Sequence, residues 1–239
     1  MSLDEELIRA LDIAFQESDV SGVRLSEDKA SIELLVEVRF LPETGPEADE
    51  RRILVFRKPA LLQVLVRLET SYKDPSLGPA IPISGLDDLE QLFASLVWTD
   101  SQMQAWEYID APRLPGGEWP DSVSLDMPFQ DGSEEHRFWW GLQGFSESQP
   151  NGERFDIEGL IYFADLEVYQ ADGKEIALAV FAADGRRWWD ALYGRNEYSS
   201  QEVQRVASAG PSWRAKGSHA SLIIPAGPET PSDIGLREP

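Results

Sequence analysis

The 239-residue chain has no cysteine, which excludes disulfides, thiolate metal sites and a cysteine nucleophile. Histidine is almost as scarce, since only His136 and His219 occur. A serine nucleophile needs a histidine to take its proton, and no G-x-S-x-G surrounds any serine. No H-E-x-x-H is present. Phosphate cradles are missing too: there is neither G-x-x-x-x-G-K-[ST] nor G-x-G-x-x-G. The pair Gly116-Gly117 lies in a proline-rich loop with acidic neighbours, the wrong charge for a phosphate. Carboxylates abound, which leaves room for an all-oxygen Mg²⁺ or Ca²⁺ site, but there is no EF-hand loop. No catalytic group, cofactor or metal is therefore assigned. No apolar run approaches the length of a membrane span. The N-terminus, MSLDEELIRA, lacks the basic and apolar regions of a signal peptide, so the expected location is cytoplasmic.

Positive charge is also short. Against 43 Asp and Glu there are 21 Lys and Arg, a formal net charge of -22, and only five of the cations are lysines. Such a surface repels phosphate backbones and anionic lipids, which argues against nucleic acid and membrane as partners. Three uses of the acidity remain: solubility, adaptation to a salty cytoplasm, or the capture of a basic partner whose approach it would steer. The chain is otherwise of ordinary globular composition, with 42% hydrophobic residues, eight Trp and ten Phe.

Periodicity predicts a helix over 2–17, with Ser2 and Glu5 at capping-box spacing and Ser18, Asp19 and Gly22 at its end. Strands follow within 23–70. In the first, Ile32, Leu34, Val36 and Val38 oppose Glu33, Glu37 and Arg39; an acidic loop at 43–50 leads to strands at 51–57 and 60–69. Ser84 and Asp87 open a second helix over 85–97, whose first turn carries Asp87 and Asp88. Strands are predicted at 103–110, 122–127, 136–145 and 155–163, then a hairpin around Ala171-Asp172-Gly173. A last helix spans 179–193, or begins at Asp184 because Gly185 weakens it. With short loops and no βαβ alternation, the class is α+β: a mostly antiparallel sheet with about three helices packed on it. The expected organisation is one domain over 1–198, with two lobes meeting near 111–121 as a variant of it. A polar, partly flexible extension covers 199–239, and its apolar patch 221–224 has the character of an edge strand.

The tryptophans are the most unusual feature. Trp139 and Trp140 are neighbours on a strand, so one enters the core and the other faces outward. An exposed one would anchor a partner or stack a sugar ring; covered by helix 179–193, both would be core. Glu134 and Glu135 precede this strand, and with Asp87 and Asp88 they are candidate contacts for a basic partner. Asp156 and Glu158 are two apart on a strand and project from one face. They form the alternative carboxylate pair for acid–base hydrolysis or sugar binding, against the plainer reading of a solvated strand face. The favoured expectation is a non-catalytic protein-binding module that engages a basic partner, in the manner of inhibitors and immunity proteins. The alternative is a carboxylate-based hydrolase or sugar-binding protein.

Overall fold

The computed structural model describes residues 3–16, 18–26, 30–44, 50–68, 77–97, 106–111, 119–146 and 153–193. Ser2, most of the acidic loop 43–50, the Pro/Gly-rich 112–118, His219 and the extension 199–239 lie outside the described residues. In chain order the first elements are α1 (Glu5–Ala14), β1 (Asp19–Leu25), β2 (Ser31–Glu37), β3 (Arg51–Arg57) and β4 (Leu61–Leu68). Next come α2 (Leu86–Ser95), β5 (Leu96–Val97), β6 (Trp106–Ile109), β7 (Leu125–Pro128) and β8 (His136–Ser146). The last are β9 (Glu153–Phe163), β10 (Asp165–Gln170), β11 (Glu175–Ile176) and α3 (Leu178–Leu192).

The fold is α+β, with these three helices and two antiparallel sheets. The first sheet has the order β1-β2-β3-β10-β11. The second has the order β5-β8-β9-β4-β7, and β6 pairs with β8 beside β5. Local signals differ from the sequence reading at three places. Helix α1 is capped by Asp4, whose carboxylate accepts the Leu7 N–H at 2.8 Å, so the helix begins at Glu5. Gly22 does not stop that helix; it sits inside β1 where the register against β2 shifts, the mark of a β-bulge. Gly185 does not break α3, because a Cβ there would lie 2.5 Å from the Cβ of Ala14. The glycine lets α3 lie directly on α1.

The two sheets are joined by one two-stranded ribbon. β3 runs into β4 across Lys58-Pro59-Ala60, and β9 runs into β10 across Ala164. β3 pairs with β10 in the first sheet and β4 with β9 in the second, so the same chain segments serve both. Lys58 takes a left-handed φ of 48° at the bend. Ala60 N–H donates to Tyr162 O at 2.8 Å and Ala164 N–H to Arg57 O at 3.0 Å, which keeps the ribbon hydrogen-bonded through the corner. The 131–133 turn closes over this corner. A Cβ on Gly132 would fall 2.1 Å from Pro59 O and 2.3 Å from Ala60 Cα. Gly132→Ala is therefore expected to cost about 2 kcal/mol of unfolding free energy, because the obstacle is backbone and has no rotamer to change. Urea denaturation checks this; a loss below about 0.5 kcal/mol, the range of an unremarkable surface substitution, would show that the corner yields.

One apolar cluster draws on both sheets and all three helices. Phe15 of α1 lies 5.6 Å from Phe138 of β8, Phe138 lies 4.9 Å from Phe56 of β3, and Phe56 lies 5.0 Å from Phe163 of β9. Phe181 of α3 meets Phe15 at 5.3 Å. Phe56, Phe138 and Phe163 are aimed inward by the alternation along β3, β8 and β9, and meet Phe15 from the C-cap of α1 and Phe181 from α3. The opposite faces of the sheets carry the ionisable groups described next.

Candidate functional site

Strand alternation sends Trp139 and Trp140 to opposite faces of the second sheet, and both are enclosed. Trp140 is 0% exposed; its ring sits in the main core, 6.1 Å from Phe93 of α2, over the backbone of Gly159. Trp139 is 3% exposed on the outer face, stacked on Tyr108 of β6 at 6.3 Å with planes 25° apart. Trp188 and Trp189 of α3 form a separate cluster with Leu41 and Ala191.

The outer face of the second sheet brings one of these rings to the predicted carboxylate pair. Asp156 and Glu158 of β9 stand beside Arg67 of β4, because β4 and β9 pair with Arg67 opposite Asp156. The Arg67 guanidinium nitrogen Nη2 reaches Asp156 Oδ2 at 2.7 Å and also binds Glu158 Oε1. Trp139 Nε1 donates to Glu158 Oε2 at 3.3 Å. The three charged side chains are 12–21% exposed, so the pair is not a solvated strand face. One cation faces two anions, and burial followed by the charge of Asp156 raises the Glu158 pKa; Arg67 and the Trp139 N–H oppose that rise. Both carboxylates are held by Arg67, which engages Asp156 Oδ2 and Glu158 Oε1, and Trp139 takes Glu158 Oε2.

The remaining predicted contacts lie elsewhere. Asp87 and Asp88 are exposed in the first turn of α2, where Asp88 Oδ2 accepts the Ser84 N–H at 3.1 Å. The capping partner of Ser84 is thus Asp88 and not Asp87. Glu134 and Glu135 are exposed just before β8. They belong to a segment, 121–135, that contains Asp121, Asp126, Asp131, Glu134 and Glu135 and no Lys or Arg. All five acids are exposed, and the segment includes the edge strand β7. Next to it His136 pairs with Asp110, Nδ1 to Oδ2 at 2.8 Å.

The cations are distributed differently. Arg24 pairs with Glu33, Arg39 with Glu50, Arg57 with Glu167 and Arg187 with Asp184. Arg67 takes two acids, Arg52 lies 3.9 Å over the ring of Phe40, and Arg137 donates to Ala111 O. These arginines are half-buried or buried. Seven of the described arginines are thus engaged in contacts away from full exposure, whereas Arg9, Lys58, Lys174 and Arg186 are exposed.

Arg67, Tyr108, Asp12 and Asp110 were not singled out from the sequence. Arg67 faces the same way as Gln63 and Leu65 on its strand, which alternation does show. What sequence spacing does not show is that β4 pairs with a strand some ninety positions later. Among the described residues no group of three or more His, Asp and Glu is arranged to hold a metal ion. Nor is any described helix long and apolar enough to cross a membrane. No family model, curated protein or solved structure matches the chain.

Proposed function

We propose that this protein is a non-catalytic binding module that engages a basic protein through its acidic surface, as a cytoplasmic inhibitor or immunity-like protein would. The observation that carries the reading is the division of charge. Among the described residues Arg24, Arg39, Arg57, Arg67 and Arg187 stand half-buried in ion pairs, while the 121–135 segment, including Glu134 and Glu135, presents five exposed acids without a cation in its sequence. An unneutralised acidic face attracts and orients a basic partner and repels nucleic acid. Asp87 and Asp88 on α2 extend the acidic surface to a second element.

The test is affinity capture from the native host at low and high salt. It uses the whole chain and a variant carrying Asp126→Asn, Asp131→Asn, Glu134→Gln and Glu135→Gln. A partner of net positive charge should elute with salt from the wild type and be absent from the variant, whose stability changes little because these sites are exposed. If no protein elutes with salt, or if the variant captures it equally well, the reading fails.

A second reading, a carboxylate hydrolase or sugar-binding protein, is favoured by the convergence of Asp156, Glu158 and Trp139 and by the raised Glu158 pKa. The shared Arg67 contact weighs against it. Turnover of aryl glycosides that Glu158→Gln abolishes would support this reading; no turnover across a panel would remove it.

A further inference from the structure

Helix α1 is tied to the edge of the second sheet through a carboxyl group. Asp12 Oδ1 accepts the N–H of Ile109, the last residue of β6, at 2.9 Å. The next residue, Asp110, holds a left-handed φ of 52°, uncommon for a residue with a side chain. Both of its carboxylate oxygens are engaged. Oδ1 accepts the Arg137 N–H at 2.7 Å, and Oδ2 lies 2.8 Å from His136 Nδ1. His136 opens β8, is 8% exposed and rests on the ring of Phe163 at 5.7 Å. Its other nitrogen stands 4.0 Å from Glu135 Oε1. Three ionisable groups from α1, the end of β6 and the start of β8 therefore meet at one junction, and a strained residue links them.

We propose that this junction is a pH-operated latch, which holds α1 more tightly on the second sheet as the pH falls from about 7.5 to about 5.5. The protonation of Asp12 operates it. Burial pushes the Asp12 carboxyl up to about 6, against 3.8 for a free side chain; the Ile109 N–H opposes this and the charge of Asp110 adds to it. Ionised, Asp12 sets a second anion beside Asp110. Protonated, it removes that repulsion, and Oδ1 still accepts from Ile109. His136 and the Arg137 N–H hold both oxygens of Asp110, so Asp110 stays in place beside Asp12.

The sign follows from linkage. A carboxyl whose pKa is higher in the closed junction than in the open one binds more protons when closed. Its contribution is complete below the open-state value and is lost as pH rises through about 6. The other charges near these elements are engaged separately. Arg9 of α1 pairs with Glu5; on α3, which packs against α1, Asp184 pairs with Arg187 and Asp190 with Arg186. Arg137 directs its guanidinium to Ala111 O, and Tyr108 of β6 stacks on Trp139.

The test is amide hydrogen exchange in the whole chain at pH 5.5 and 7.5, corrected for the intrinsic pH dependence of exchange. The Ile109 amide is expected to open about fourfold more at pH 7.5, from the Asp12 titration. Asp12→Asn should hold opening low at both pH values and abolish the difference. A carbon-13 titration of the Asp12 carboxyl gives a second reading that needs no variant, with an expected midpoint near 6. Equal corrected protection at the two pH values, an Asp12 midpoint near that of a free aspartate, or an undiminished pH dependence in Asp12→Asn overturns the latch. None of these outcomes depends on whether a basic partner exists.

Discussion

Arg67→Met is expected to lower the unfolding free energy at pH 7.5 by about 3 kcal/mol, at the low end for breaking a buried ion pair because the guanidinium keeps some contact with water. Methionine retains most of the apolar stem, so the loss reports on charge. Without the cation, Asp156 and Glu158 face each other in a desolvated site, and one of them must take up a proton or expose itself. Glu158 is already raised by burial and by Asp156; removal of Arg67 takes away a group that opposes the rise. The variant's folded state then binds more protons than its unfolded state above the ordinary glutamate range. Its stability should fall as pH rises through the Glu158 pKa, and the gap from wild type should be smaller at pH 5 than at pH 7.5. Urea denaturation followed by tryptophan fluorescence at both pH values measures this. An equal loss at the two would assign the effect to packing of the Arg67 stem and not to the unpaired carboxylates.

Gly159→Ala should be at least as damaging, at about 3 kcal/mol, near the upper end for overpacking a core. Gly159 sits opposite Trp140 in the β8–β9 pairing. A Cβ there would lie 2.1–2.3 Å from three atoms of the Trp140 indole. That ring is fully enclosed, with Phe93 of α2 also against it, so it has little room to retreat. The mechanism makes a non-additive prediction. Trp140→Leu alone leaves a cavity and destabilises, but it also removes the atoms that the new methyl would strike. The double variant should be more stable than the sum of the single losses requires, by roughly 1–2 kcal/mol. Strict additivity would mean that the strand pairing, and not the ring, resists the methyl group.

Much of the fold was legible locally. The alternation in 30–41 and 155–163 shows both the strands and which side chains face the core, because a pleated strand turns successive residues to opposite faces. The hairpin at Gly173, with φ 87°, was legible for the same kind of local reason. Gly22 misled, and Gly185 left two starts open for the last helix, because a glycine signals backbone freedom or close approach without saying which. At Gly22 the answer lay in the pairing of β1 with β2, and at Gly185 in the neighbouring Ala14. Asp156 and Glu158 were visible as two acids on one strand face. Arg67, which changes their chemical meaning, was not.

The sequence by itself determined the composition-level limits: no thiol chemistry, two histidines, a large negative charge, and strands and helices of α+β type. Those follow from residue identity and short-range periodicity. Only the tertiary structure decided that Trp139 and Trp140 are both enclosed, that Arg67 holds the carboxylate pair, and that Asp12, Asp110 and His136 meet. Each depends on which distant segments become neighbours, and a short-range pattern carries no information about that choice. The acidity itself was plain from the first count of residues. What folding added was its distribution: Arg24, Arg57 and Arg67 meet acids across paired strands, while the acids of 121–135 face water, where solvation costs them least.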